Sequence, residues 1–319
     1  MKKNIVLLIA LISVISLLAG CKSGNTSSTP INANTSADTT KPADAAKPAD
    51  TTTKPADKAT TENTTKATDA ATDDPKVTYN GKEVTSEIKG VCLQMTTACE
   101  NSSATFDYNY AENIEDGRGI TFGIIGFTTG TYDGNQLIKY YTELNPNNSL
   151  AKYIPALDKI DAGKRDSEGK SDDTTGLENF ISDVKACSDP LFKQAQLHEL
   201  DIRYWNPAVK IADSIGAKNN LTLAFIYDIC VNQGPDGAQD YMDNVKEYLG
   251  GTPASGIDEN EFLSALMDYR YDDLAQDDPE AKNRVDAFRK LLEDGNFGLK
   301  APFEFTVYGD TYKIDGNVY

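Results

Sequence analysis

Histidine and tryptophan occur once each, at His198 and Trp205, and no Cys-x-x-Cys spacing appears in the 319 residues. Without paired Cys or His at such spacings a zinc site has no donor set, and no metal is expected. Basic residues are short as well: 31 Lys and Arg stand against 49 Asp and Glu, a formal net charge of −18. Eight Lys before position 76 are cancelled by eight acidic residues, so the whole excess falls on residues 76–319. That sign excludes a nucleic-acid partner, whose phosphates require a basic face. It suits a polycationic ligand, and it equally suits an exported protein kept soluble by its charge.

The N-terminus reads as a targeting segment. Lys2 and Lys3 precede the apolar run Ile5 to Leu18, and Leu18-Ala19-Gly20-Cys21 follows. A charged start, an apolar run too short for an ordinary spanning helix and a small-residue ending describe an export signal over residues 1–20. The Leu-Ala-Gly-Cys ending is similar to that of bacterial lipoproteins, which implies cleavage before Cys21 and a lipid on its sulfur. Residues 21–75 are Thr, Ala, Asp, Pro and Lys with almost no large apolar side chain, and Lys-Pro-Ala-Asp recurs at 41–44, 47–50 and 54–57. Such a stretch buries too little apolar surface to offset its chain entropy, so disorder is expected. As a flexible coil it would span about 40 Å. It reads as a tether for the domain at 76–319.

Four cysteines fall in that domain: Cys92, Cys99, Cys187 and Cys230. An exported location permits disulfides. Cys92 and Cys99, seven residues apart on one helix-patterned segment, stand about 10.5 Å apart along its axis and cannot bridge each other. Two of the three pairings of all four remain open, and so do buried free thiols.

From Thr85 the apolar pattern Ile88, Val91/Cys92, Met95, Ala98/Cys99 predicts a helix that ends at Glu100. Phe106, Tyr108 and Tyr110 alternate with polar residues in strand fashion. Further helices are predicted after Asp133 as far as Asn145-Pro146, and over 150–160, 177–187, 191–204, 221–231, 241–249, 259–274 and 279–292. Phe303-x-Phe305-x-Val307 and Tyr312-x-Ile314, joined through the turn Tyr308-Gly309-Asp310-Thr311, predict a closing hairpin. The class is α+β, mostly helical with a small sheet. In the 191–204 segment His198 reads as part of a solvated face, lacking the partner a relay needs. Tyr204 and Trp205 fit either core packing or a sugar subsite.

Sixteen positions after Glu100, Asp116 sits in the turn Asp116-Gly-Arg118-Gly. Two carboxyl groups in unlike settings are what inverting glycoside hydrolysis needs: one donates a proton to the leaving oxygen, the other activates a water on the opposite face of the sugar. Burial at the end of an apolar helix favours a protonated Glu100, while backbone N–H groups and solvent in the glycine-rich turn favour an ionised Asp116. The Thr121 hydroxyl is placed to hold the water. By itself the pattern also fits an ordinary Asx turn and an unrelated surface acid.

Glu100-Asn-x-Ser, Asp116-Gly-Arg-Gly-x-Thr121, Gly-Ile-Ile-Gly-Phe127 and Thr-Gly-x-x-Asp133 together resemble the chitosanases of glycoside hydrolase family 46. So do Ala151-Lys-Tyr153-x-Pro155-Ala156-Leu157, Gln194-Ala-Gln196, Tyr227-Asp228, the Arg270 segment and Arg284-Val-Asp286, in order over residues 85–315. The resemblance implies a lysozyme-like two-lobed fold with a cleft between the lobes. It also implies inverting endo-hydrolysis of chitosan without a cofactor. By position it makes Glu100 the general acid, Asp116 the general base and Thr121 the holder of the water. Arg118, Tyr110 and Asp133 would line glucosamine subsites, although Asp133 also fits as a helix N-cap. Asp228, Arg270 and Arg284 would form a buried ion network behind the acid, which either tunes it or only fixes the fold. The chain departs from the family at Gln233-Gly234, where a His-Gly pair is frequent.

The expected enzyme is therefore a chitosanase acting on chitosan or glucosamine oligomers. It would act as a monomer at the outer face of the cell envelope, touching the membrane only through its lipid or released as a secreted form. A lysozyme-like muramidase and a non-catalytic glucosamine-binding lipoprotein are the alternatives. The −18 charge disfavours the first, since anionic wall polymer would be repelled, and a complete acid–base–Thr set disfavours the second.

Overall fold

The computed structural model describes residues 78–79, 81–277 and 281–318. The expected signal peptide, Cys21 and the tether lie outside the described residues. Helix dominates, as the apolar periodicity requires. α1 (Ser86–Asn101) is capped by Thr85, whose hydroxyl accepts from the Ile88 N–H at 3.3 Å. It is buried on every side from Gly90 to Cys99 and so runs through the core rather than over it. Three very short strands follow, β3 (Ala111–Glu112), β4 (Thr121–Phe122) and β5 (Phe127–Thr128), paired antiparallel in chain order. They come after the small ribbon β1 (Thr78–Tyr79) and β2 (Lys82–Glu83). Then come α2 (Asp133–Leu144), α3 (Ile154–Asp161), α4 (Phe180–Lys185) and α5 (Pro190–Leu200), which passes through a π-helical turn (Asp201–Trp205) into α6 (Asn206–Ser214). α7 (Asn220–Leu249), α8 (Glu259–Asp277) and α9 (Lys282–Glu293) complete the helices, and β6 (Phe303–Val307) pairs with β7 (Asp310–Ile314).

The apolar side chains divide into two cores. The larger gathers α1, α6, α7, α8, α9 and the final hairpin around residues such as Met95, Phe225, Met267 and Phe288. The smaller gathers the three-stranded sheet and α2 to α4 around Phe122, Leu137, Tyr153 and Phe180. α5 belongs to both, sending Phe192 and Ala195 into the smaller core and Leu197 and Leu200 toward the larger.

Several expectations need correcting. Phe106 to Tyr110 is a loop with a turn, and pairing begins only at Ala111, because Tyr108 sends its hydroxyl to the Val318 carbonyl at 2.7 Å rather than joining a ladder. α6 is absent from the sequence reading: Pro207 cannot donate into the helix, but the π-helical turn just before it, closed by the Asn206 N–H on the Asp201 carbonyl, carries the helix past that gap. The two helices expected over 221–231 and 241–249 are halves of α7, broken at Gly234 (φ 78, ψ 160) ahead of Pro235. Cys92, Cys99, Cys187 and Cys230 are free, and all but the half-buried Cys187 are fully enclosed. Burial pushes the Cys230 thiol up to about 12. The closing hairpin forms with a shorter turn than expected: Asp310 and Thr311 pair in β7, and only Tyr308 (φ 54) and Gly309 (φ 86) turn, both left-handed, the geometry that matches strand twist.

Candidate active site

Glu100 lies in the last turn of α1, on the larger core, with its side chain 13% exposed. Arg284 of α9 donates to it through Nη2 at 2.5 Å. The same guanidinium holds Asp228 of α7, from Nη2 at 2.8 Å and from Nε at 3.1 Å. Arg270 of α8 donates at 3.1 Å to Asp228 Oδ2, the oxygen that also takes the Arg284 Nε bond, and to Asn232 at 3.2 Å. Asp228 and Arg270 are entirely enclosed. Each enclosed guanidinium is thus answered by the Asp228 carboxylate, the pairing under which buried charges persist. Burial depresses the Arg270 pKa, whereas for Arg284 burial is outweighed by Asp228 and Glu100, which hold it well above the usual range. The four residues named from the sequence are thus one contiguous network. Asn232 was not named; it follows Asp228 by four residues on one helix, the spacing that puts two side chains on one face.

Asp116 sits in the loop between β3 and β4, on the smaller core. Its partner is local: Arg118 donates to Oδ2 from Nε at 2.6 Å and also through Nη2, and the Arg118 backbone N–H reaches Oδ1 at 3.1 Å. The loop doubles back through Gly117 and Gly119, both with φ above 70°. A Cβ at Gly119 would strike the Thr129 hydroxyl, which instead accepts from the Ile120 N–H at 2.9 Å. Arg118, expected to face substrate, is therefore first of all the clamp on Asp116. Thr121, at the start of β4, is 6% exposed, and its hydroxyl has no hydrogen-bond partner among the described residues. A buried hydroxyl left unpaired costs free energy, so one that persists calls for an explanation.

Tyr110 donates to Glu112 at 3.3 Å, and burial with the charges of Glu112, Asp107 and Asp116 raises its pKa. Asp133 is the first residue of α2, with Tyr132 at the cap position, so it is not the N-cap. Its carboxylate braces the β5–α2 corner, accepting from Thr131 Oγ1 at 2.7 Å and the Thr128 N–H at 3.3 Å. Burial raises its pKa against the pull of those bonds and of Arg203.

Tyr204, in the π-helical turn, marks the seam between these groups. Burial and Asp133 raise its pKa, Arg203 lowers it, and Glu100 and Arg118 act on it with opposite signs. One phenol is thus within electrostatic reach of Glu100 from the larger core and of Arg118 and Asp133 from the smaller. π-Helical turns are rare and recur at functional positions. Lys89 of α1 pairs with Asp201 and fixes this turn to the Glu100 helix. Gln196, fully buried, locks the connecting segment: its amide donates to the Tyr108 carbonyl at 2.9 Å and accepts from the Ile124 N–H at 3.0 Å. Trp205 is core, 3% exposed and packed edge-on against Tyr227. His198 is half-buried rather than solvated, its ring stacked on Tyr140 at 3.9 Å. Gln233, beside the α7 break, is exposed. Among the described residues no group of three or more His, Cys, Asp or Glu is arranged to hold a metal ion.

Residues 94–303 match the family model of glycosyl hydrolase family 46. The chain is 36% identical over 222 residues to a chitosanase of Bacillus subtilis (strain 168), covering 66% of this chain and 78% of that one. It is also 36% identical over 239 residues to a chitosanase of a Streptomyces species, covering 71% and 82%. Among solved structures it superposes on a mutant chitosanase of Bacillus subtilis MY002 complexed with 6 GlcN, with TM-score 0.63 and 32% identity, over 72% of this chain and 98% of that one. A family 46 chitosanase of Gynuella sunshinyii in complex with chitotetraose gives TM-score 0.64 and 29% identity, over 73% and 99%.

Proposed function

We propose, from the premise that this chain belongs to glycosyl hydrolase family 46, that Glu100 and Asp116 are the acid and base of a chitosan-cleaving site. The protein is a glycoside hydrolase of lysozyme-like, two-lobed fold that cuts β-1,4 bonds between glucosamine units inside chitosan, with inversion. The observation that carries the residue assignment is the contrast in setting between the two carboxyl groups. Glu100 is anchored in a buried ion network, and Asp116 is clamped in a glycine-rich loop five residues before Thr121, whose hydroxyl has no partner among the described residues.

The chemistry follows from those settings. Glu100 gives its proton to the glycosidic oxygen as the bond to the anomeric carbon breaks. The carboxylate left behind is the state that Arg284 stabilises by a charge-assisted hydrogen bond. On the opposite face of the sugar Asp116 takes a proton from a water whose oxygen forms the new bond to that carbon, and the Thr121 hydroxyl orients the water. Arg118 keeps the Asp116 carboxyl aimed until the transfer. Solvent exchange then returns the proton to Glu100. Tyr110, Arg118 and Asp133 line glucosamine subsites, and the acidic surface draws in a polymer of protonated amines. Asp228 and Arg270 position Arg284.

The N-terminal residues divide as the sequence reading has it: a signal over 1–20, a lipid on Cys21, a tether over 21–75 and the catalytic domain at 76–319. The enzyme works as a monomer, since one chain supplies both carboxyl groups, and is held at the outer face of the envelope or released by cleavage of the tether. An acyl adduct on Cys21 in the mass spectrum of the mature N-terminus is the expected result, and an unmodified Cys21 there rejects the anchor. Activity is tested by reducing-end release from chitosans of graded acetylation, with anomeric NMR on the products. Inversion gives the α-anomer first; initial β-product excludes this acid–base arrangement, which requires about 6.5–9.5 Å between the carboxyl groups to admit the water.

A further inference from the structure

We propose that Tyr132 is a sugar-stacking platform of this chain, taking the apolar face of a pyranose unit bound beside Asp133. Neither the local backbone nor the core explains a tyrosine there. Its φ of 75° and ψ of −35° lie where a bulky side chain is an outlier, and its cap position carries no side-chain hydrogen bond in return. Glycine would fit that backbone without strain. The residue is 44% exposed and is not among those packed in the smaller core.

The ring is nevertheless held in place. The Arg165 guanidinium lies over it, with Cζ 3.5 Å from the centroid. Arg165 itself is anchored by the Gly130 carbonyl at 2.6 Å, the Gly169 carbonyl at 2.8 Å and Asp161 Oδ1 at 3.2 Å. With one face covered by a fixed cation, the exposure belongs to the other face and the rim. A strained, exposed and braced aromatic ring has few uses other than contact with a ligand.

Its place in the chain puts that face at the margin of the site. Two residues before it, the Gly130 N–H donates to the Arg118 carbonyl at 2.8 Å, so the Tyr132 segment is pinned to the loop that carries Asp116. The next residue is Asp133, whose charge reaches Tyr204 at the seam. The chemistry selects the ligand face. A β-1,4-linked pyranose carries its hydroxyl and amino groups around the equator and presents C–H groups above and below, which pack on an aromatic ring. Arg165 on the far side weakens the pull of that ring on a second cation, so the C–H face, not the ammonium, is what Tyr132 accepts.

This rests on the chitosan reading, and its test keeps the two apart. Initial rates on a glucosamine hexamer and on soluble chitosan are measured for wild type, Tyr132→Gly and Tyr132→Phe, together with each melting temperature. Tyr132→Gly is expected to raise KM about five- to tenfold, with kcat within about twofold and the melting temperature unchanged or higher, because glycine relieves the strain while stacking of this size is lost. Tyr132→Phe, which keeps the ring face, is expected to retain the wild-type KM. An unchanged KM in Tyr132→Gly, or a fall in kcat together with the melting temperature, overturns the platform while leaving the chitosan reading in place. A wild-type enzyme that releases no reducing ends overturns the chitosan reading, and the platform falls with it.

Discussion

The two carboxyl groups of the site are held in opposite ways. Glu100 depends on Arg284, 184 positions further along the chain, and through it on Asp228 and Arg270, all in the larger core. Asp116 depends on Arg118, two positions away, in a loop of the smaller core. The first arrangement is part of what holds the fold together, and the second is nearly independent of it. Damage on the Glu100 side should therefore reach stability as well as turnover, whereas damage on the Asp116 side should be confined to turnover.

The largest expected effect tests both sides at once. Glu100→Gln and Asp116→Asn should each lower kcat on soluble chitosan by about 10²- to 10⁴-fold, the range of a positioned acid or base. Activity within a few-fold of wild type in either variant removes that residue from the mechanism. Next comes the contrast itself. Arg284→Ala strands Asp228 and Glu100 without their shared cation and should cost about 3–5 kcal/mol in urea unfolding, as breaking a buried pair does. Arg118→Ala breaks a partly exposed local pair and should cost about 1 kcal/mol or less. Equal losses would erase the distinction between the two lobes.

Thr121→Val sharpens it further. The hydroxyl has no partner among the described residues, so its removal should leave stability unchanged or slightly higher while lowering kcat about tenfold. A stability loss without a rate loss would make the residue structural.

The smallest effect concerns Asp189, which caps α5 through the Leu191 N–H at 2.9 Å and accepts from Tyr141 and Asn145 at 2.6 and 2.7 Å. Burial raises its pKa, but those three donors outweigh it and hold the carboxyl below its ordinary value. A depressed folded pKa contributes stability above the unfolded value, near 3.9, and loses it as pH falls through the folded one. Asp189→Ala should cost about 1–2 kcal/mol at neutral pH, with the gap to wild type narrowing below about pH 4. A gap that stays constant down to pH 2 would show that the charge contributes nothing.

What was legible in the sequence follows the range of each interaction. The helix ending at Glu100 could be read because its apolar residues recur at helical spacing, and the Asp116 turn because its glycines supply left-handed backbone. The final hairpin was marked by alternation around Tyr308-Gly309. Phe106 to Tyr110 misled because alternation is also what a loop shows when it drops one tyrosine, here Tyr108, into a core. α6 went unseen because a proline usually ends a helix, and the π-helical turn that carries the chain past Pro207 leaves no periodic mark. Asp228, Arg270 and Arg284 were named only through resemblance to a family, since three charged residues on three helices carry no local mark of sharing one buried site.

The chain alone determined its charge, its helical class, the separation of a polar N-terminal stretch from a foldable domain, and the glycine-rich turn that carries Asp116. These depend on composition or on neighbours a few residues apart. Tertiary structure decided which cation answers Glu100, how Tyr204 of the larger core comes within electrostatic reach of Arg118 and Asp133, why Gln196 is buried, and that Tyr132 is braced by Arg165. Those facts arise only when distant segments are packed together and water is excluded from between them, because only there does a buried charge or a strained ring have to find a partner.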